Sequence, residues 1–160
     1  NSKPIQDITF SDFDRSILVN ALAPFFLVKN FIKELNSYKG HIINITSIHS
    51  KLTKPNFTCY ASSKALLEGI NRSLSLELSS MGISVNSVAP AAIQTEMLRS
   101  GFKKKEQLRE LENYHPSKTI GTPQEVALFI KSITDQDCRF LTGTVLEFNG
   151  GIGIRLHDPS

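Results

Sequence analysis

The chain has 160 residues, 40% of them apolar and 21% charged, a balance that fits one ordinary globular domain and excludes disorder, collagen-like repeats and coiled coil. No run of about 18 consecutive apolar residues occurs, so no membrane-spanning helix is expected. The formal charge of +3 comes from 18 Lys and Arg against 15 Asp and Glu, and its one dense run, Lys103-Lys104-Lys105, is followed at once by Glu106, Glu110 and Glu112; this reads as the solvated face of a short helix, not a nucleic-acid stripe.

Ser11 reads as an N-cap with Asp14 at the N3 position. Phe13, Ile17, Leu18, Ala21, Phe25, Leu27, Val28, Phe31, Ile32 and Leu35 then recur at helical spacing, which predicts one long, heavily buried helix. Pro24 inside it should kink it or remove one backbone bond, and the turn residues of 36–40 end it. His41 to Thr46 is a β-branched run suited to a strand buried on both faces. Ser47 to Phe57 is polar, holds Pro55 and reads as a loop. A second long helix is expected over about 58–80, closed by Gly82 as C-cap. Ile83 to Val88 is the next strand, stopped by Pro90. One or two short polar helices follow within about 95–114. Thr122-Pro123-Gln124-Glu125 opens another helix with a cap, a first-turn proline and an acidic residue. A last strand, about 145–148, runs into Asn149-Gly150-Gly151. The alternation predicts parallel strands with right-handed crossovers. Three strands are too few to cover both long helices, so the pattern looks like half of a doubly wound sheet.

Ligands of open parallel sheets sit beyond the carboxyl ends of the strands, where two loops, 47–57 and 89–95, leave this one. Ser47 follows its strand directly. Tyr60 and Lys64, four apart, share a helix face. A tyrosine hydroxyl is a poor base at neutral pH, but a nearby ammonium favours its phenolate and makes proton transfer to or from a substrate oxygen feasible. Ser47 could donate a hydrogen bond to the same oxygen. Such a pair by itself is more often a tyrosine packed under a loop and a lysine in water. Cys59 and Cys138 form neither metal-ligand spacing nor a disulfide framework, which suits a reducing, cytoplasmic setting. His41, His49, His115 and His157 are scattered, and no metal site is expected. His49 and Phe57, on the loop after Ser47, could line a substrate pocket or be plain surface.

Several motifs in one order sharpen this. Gly40-His41-Ile42-Ile43-Asn44-Ile45-Thr46-Ser47 is followed, thirteen positions after Ser47, by Tyr60-Ala61-Ser62-Ser63-Lys64-Ala65. Upstream stands Val19-Asn20-Ala21-Leu22-Ala23-Pro24-Phe25. Downstream stand Val85-Asn86-Ser87-Val88-Ala89-Pro90 through Thr95 and Met97, then Gly121-Thr122-Pro123-Gln124-Glu125-Val126-Ala127, and Leu141-Thr142-Gly143-Thr144-Val145-Leu146 through Gly151. From about residue 5 to 152 the chain resembles the short-chain dehydrogenase/reductase family.

That resemblance implies an α/β fold, a Rossmann-like doubly wound parallel sheet present in incomplete form, with residues 1–160 a single partial catalytic domain. It implies NAD(P)-dependent interconversion of a small-molecule carbonyl and an alcohol, with NAD or NADP not distinguished. Tyr60 would be the general acid/base. Lys64 would favour its phenolate and hydrogen-bond the nicotinamide ribose, Ser47 would orient the substrate oxygen, and Asn20 would hold a water that links Lys64 to solvent. Pro90, Ile93 and Thr95 would touch the nicotinamide or diphosphate end. Met97, Leu98 and Phe102 would form a substrate lid or pack in the ordinary way. The two long helices would join subunits in a homo-oligomer, with no nucleic-acid or membrane partner. Ala91 replaces a usual glycine, at a cost if a positive φ or a close approach to the cofactor is needed there, and Asn149 replaces a usual aspartate. The family's glycine-rich turn, which brings backbone to the pyrophosphate, has no counterpart in these residues. The chain therefore reads as the catalytic half, and the competing expectation is a truncated, non-catalytic fragment that only associates with related subunits.

Overall fold

The computed structural model describes residues 2–102, 104–135 and 138–156; Lys103 of the basic run, His157 and the side chains of Met97 and Lys105 lie outside the described residues. Strands β1 (His41–Ile45), β2 (Ser84–Pro90) and β3 (Val145–Phe148) form one parallel sheet in the order β1-β2-β3. The expected α/β class and Rossmann-like parallel sheet are therefore present, in three strands. Every residue of the central strand β2 is buried, so its polar side chains need partners inside the protein. Asn86 finds them in the loop before β3: its Nδ2 donates to the Leu141 carbonyl at 2.8 Å and its Oδ1 accepts the Thr144 N–H at 3.3 Å.

Helix α4 (Thr58–Leu78) links β1 to β2 and buries Leu67, Glu68, Asn71, Leu74, Ser75 and Leu78 along one face. It runs on as a 3-10 turn, Ser79–Met81, and stops at Gly82, whose φ of 74° is the left-handed conformation a C-cap glycine supplies. Between β2 and β3 lie α5 (Glu96–Ser100), α6 (Lys105–Tyr114) and α7 (Pro123–Thr134). Thr122 caps α7 in a reciprocal box with Glu125 and has Pro123 behind it, as the sequence predicts. Val28, Leu74, Leu78, Ile83 and Val85 form the core cluster beneath the sheet.

The first helical stretch departs from expectation in three ways. Its cap is Thr9, not Ser11: the Thr9 hydroxyl accepts the Asp12 N–H at 3.2 Å while the Asp12 carboxylate accepts the Thr9 N–H at 3.0 Å. The Lys3 ammonium also binds that carboxylate at 2.8 Å, which adds weight to the earlier frame. Second, the stretch is segmented into α1 (Phe10–Ile17), a π turn (Leu18–Leu22), α2 (Ala23–Asn30) and α3 (Ile32–Tyr38), with a bend of 64° at Phe31. Pro24 explains the π turn. It has no N–H for the Asn20 carbonyl, and its ring would crowd that oxygen, so the helix widens there and Ala23 donates to Leu18. Third, the stretch is not heavily buried. Ala21 and Val28 are covered, but Val19, Phe26, Leu27 and Phe31 are exposed, because three strands do not extend beneath that face. Among the described residues no single helix is long and apolar enough to cross a membrane.

Candidate active site

Ser47 lies two residues beyond β1, is 6% exposed, and opens a 3-10 turn, Ile48–Ser50, by accepting the His49 N–H on its hydroxyl at 3.2 Å. Tyr60 is in the first turn of α4 and Lys64 one turn later on the same face. The Lys64 ammonium sits 5.8 Å from the centre of the Tyr60 ring and donates to the Ile45 carbonyl at 2.8 Å. Burial pushes the Lys64 pKa below the ordinary 10.5.

The loop after Ser47 folds over the start of α4. The His49 and Phe57 rings meet at 4.7 Å, and both stand T-shaped to Tyr60, at 6.0 Å and 6.1 Å with interplanar angles of 74° and 90°. Lys54 lies over Phe57, 4.5 Å from its centre. His49 thus connects the two expected catalytic groups, with its amide on Ser47 and its ring on Tyr60. Both rings are half-buried, and neither lines either of the two cavities described below.

Asn20 occupies the π turn. Its side chain donates to the Ser63 hydroxyl at 3.0 Å, and Ser63 donates to the Tyr60 carbonyl at 2.8 Å. Asn20 and Lys64 line one open groove of about 360 Å³ along the outer edge of β1, with Val19, Pro24, Ile45 and Leu67. Across the sheet, Pro90 ends β2, Ile93 bridges in parallel to Gly121, and the Thr95 hydroxyl caps α5 by accepting the Leu98 N–H at 3.2 Å. A Cβ on Gly121 would come within 2.7 Å of Ile93 Cδ1, so a larger residue there would make the tip of the Ile93 side chain shift. Ala91 is not among the described residues with positive φ, so the conformation that would have strained it is not used there.

A smaller recess of about 100 Å³ lies beside Ser47, lined also by Ser50, Lys51, Ala89, Glu147 and Asn149. Lys51 and Glu147 close it with an ion pair at 2.8 Å. Hydrogen bonding between them holds the Glu147 carboxyl below its usual range and raises the Lys51 ammonium. Both are water-exposed, so the pair contributes only about 0–1 kcal/mol. Asn149 donates to the same carboxylate at 3.0 Å. An aspartate at that position could not donate and would set a second negative charge beside Glu147.

Burial, helped by the charge of Lys54, lowers the His49 pKa from its ordinary 6.5. Folding therefore favours the neutral ring. As pH falls below about 6.5 the unfolded chain takes up a proton that the folded chain resists, and stability drops until the lowered folded value is passed. Urea midpoints measured at pH 7 and pH 5.5 should show a larger loss in the parent than in His49→Gln; equal losses would remove this contribution.

A family model described as enoyl-(acyl carrier protein) reductase matches residues 1–153. The chain belongs to the short-chain dehydrogenase/reductase family. It is 33% identical to a glucose 1-dehydrogenase of Gluconobacter oxydans over 151 residues, covering 93% of this chain and 57% of that protein. It is 38% identical to a 3-oxoacyl-(acyl-carrier-protein) reductase of Rickettsia felis over 144 residues, covering 88% and 58%. A solved structure of ligand-free Thermoplasma acidophilum aldohexose dehydrogenase superposes with a TM-score of 0.92 at 26% identity, covering 100% of this chain and 67% of that one. The structure of ElxO with NADP bound superposes with a TM-score of 0.87 at 30% identity, covering 97% and 64%. The chain thus spans less than three fifths of the length of these two curated relatives. One buried polar residue near these groups escaped the sequence reading: Glu68, four residues past Lys64 on the same helix face, 5% exposed. The spacing 60, 64, 68 was the available signal.

Proposed function

We propose that this chain carries the proton-transfer machinery of an NAD(P)-dependent oxidoreductase that interconverts a small-molecule carbonyl and an alcohol. The observation that carries the reading is the Lys64 ammonium 5.8 Å from the Tyr60 ring and on the Ile45 carbonyl at the end of β1, with His49 joined to Ser47 by its amide and to Tyr60 by its ring. In the reducing direction the Tyr60 hydroxyl donates its proton to the substrate oxygen, and in the oxidising direction it accepts one. The Ser47 hydroxyl donates to the same oxygen and fixes its direction.

The residues suit a nicotinamide cofactor. The Lys64 ammonium has three donors. One is spent on the Ile45 carbonyl, and the others can take ribose hydroxyls. The Thr95 hydroxyl accepts in its cap, so its own proton is available to an acceptor on the cofactor. Pro90 and Ile93 complete the wall that would hold the ring. Bound there, the nicotinamide would supply or take up hydride. Asn20 opens on the same groove as Lys64, and a water held between them would reload the lysine with protons from solvent. Exposed Val19, Leu27 and Phe31 on the first helical stretch, with Leu66 and Leu76 on α4, supply apolar surface for a homo-oligomer. Both cysteines are free, which suits a reducing, cytoplasmic setting.

The test is turnover of reduced nicotinamide by the holoenzyme over a panel of ketones and aldehydes, followed by absorbance. Ser47→Ala should lower kcat roughly 10²-fold, in line with loss of one preorganised donor, while cofactor affinity holds. A panel without turnover, or an alanine variant with parental kcat, would overturn the assignment.

A further inference from the structure

The turn that carries Ser47 closes on itself. The Ser50 N–H donates to the Ser47 carbonyl at 3.0 Å, and the Lys51 and Leu52 N–H groups donate to the Ile48 carbonyl at 3.1 Å and 2.9 Å. It is also gripped from two sides. On the outer side Lys51 pairs with Glu147 in water, a weak hold. On the inner side the Ser50 hydroxyl meets Glu68 Oε1 of α4 at 2.5 Å. A carboxylate removed from water must be paired, and a hydroxyl donating to it makes a short, charge-assisted bond. The Ser50 oxygen also lies 2.7 Å from the Ser47 carbonyl. That carbonyl already receives the Ser50 N–H, so the single hydroxyl proton can be given to Glu68.

We propose that Glu68 is a positioning residue for Ser47. It grips the turn through Ser50, fixes the direction of the Ser47 hydroxyl, and keeps the His49 ring seated against Tyr60. It touches neither substrate nor cofactor. Tyr60, Lys64 and Glu68 stand one turn apart on one face of α4, so a single helix sets both the proton donor and the serine that must reach the same oxygen. The proposal rests on the role given to Ser47 above.

Hydrogen exchange of the 160-residue chain reads the turn without catalysis. Glu68→Ala and Ser50→Ala should each speed exchange of the amides of residues 49–52 roughly tenfold or more with β2 still protected, and Glu68→Gln, which keeps an acceptor, should stay near the parent. In the holoenzyme, Glu68→Ala should lower kcat by on the order of 10–100-fold, as expected for a misplaced group. KM for the nicotinamide should hold, and Glu68→Gln should restore kcat. Unchanged exchange in the turn, a rise shared equally by β2, or failure of the glutamine rescue would overturn the proposal. Ser47→Ala separates the two readings. Lost turnover there beside parental turnover in Glu68→Ala sinks the positioning role alone, and parental turnover in Ser47→Ala sinks both.

Discussion

Tyr60→Phe should lower kcat of the holoenzyme by about 10²–10⁴-fold, the span that a positioned acid or base contributes, while leaving nicotinamide binding near the parent value. The substitution removes one oxygen and keeps the ring. Tyr60 meets His49 and Phe57 in T-shaped contact at 6.0 Å and 6.1 Å, and the Lys64 ammonium lies 5.8 Å from its centre. All three contacts belong to the ring and survive in phenylalanine. The Tyr60 carbonyl, which accepts the Ser63 hydroxyl, is untouched as well. A fall in kcat would then report the missing proton donor and not a collapsed site. Stopped-flow turnover with a fluorescence titration of cofactor separates the two quantities. Turnover within tenfold of the parent would take the acid/base role away from Tyr60.

The parts of this fold that the sequence made legible are those set by local chemistry. β1 stands out as a β-branched run, and Thr122, Pro123 and Glu125 announce a helix start through hydrogen bonds only three residues apart. Gly82 marks the end of α4 for the same reason, since its conformation is a property of one residue. What escaped depends on partners distant in the chain. Thr9 outcompetes Ser11 as a cap because Asp12 answers it and Lys3 supports Asp12. Apolar periodicity in the first helical stretch predicted burial, yet a pattern records which face is apolar and not how much sheet lies beneath it. The π turn at Asn20 was half-readable: Pro24 announced a lost bond, but not that the helix would widen instead of bending there. At the site, the motif spacing singled out Ser47, Tyr60 and Lys64. Glu68 carries no motif signal of its own; its contact with the turn bearing Ser50 comes from the fold. The packing of His49 against Tyr60 likewise comes from the path of the loop, which no local rule fixes.

Ile83→Ala should have the largest effect on stability, about 2–5 kcal/mol, because it deletes a fully enclosed side chain from a site whose walls are held by separate elements. Ile83 is 1% exposed and packs with Val28 of α2, Leu74 and Leu78 of α4, and Val85 of β2, with Phe25, Ile42 and Ile70 around them. The backbone at this point is already fixed. Gly82 turns the chain with a left-handed φ, and the Ile83 N–H donates to the Leu78 carbonyl at 3.3 Å. The walls therefore cannot close fully over the gap. A loss of that size is a large share of the roughly 5–15 kcal/mol that a domain of ordinary stability possesses. Urea unfolding should show a lower midpoint at an unchanged slope, with Ile83→Val costing about 0.5–1.5 kcal/mol and Leu76→Ala, at an 80% exposed position, staying within about 0.5 kcal/mol of the parent. A shift under about 1 kcal/mol for Ile83→Ala would show that α2 and α4 settle into the space. Those helices continue into the π turn holding Asn20 and the first turns holding Tyr60 and Lys64, so such settling would also move the proton-transfer groups, and the same variant should then lose kcat without losing stability.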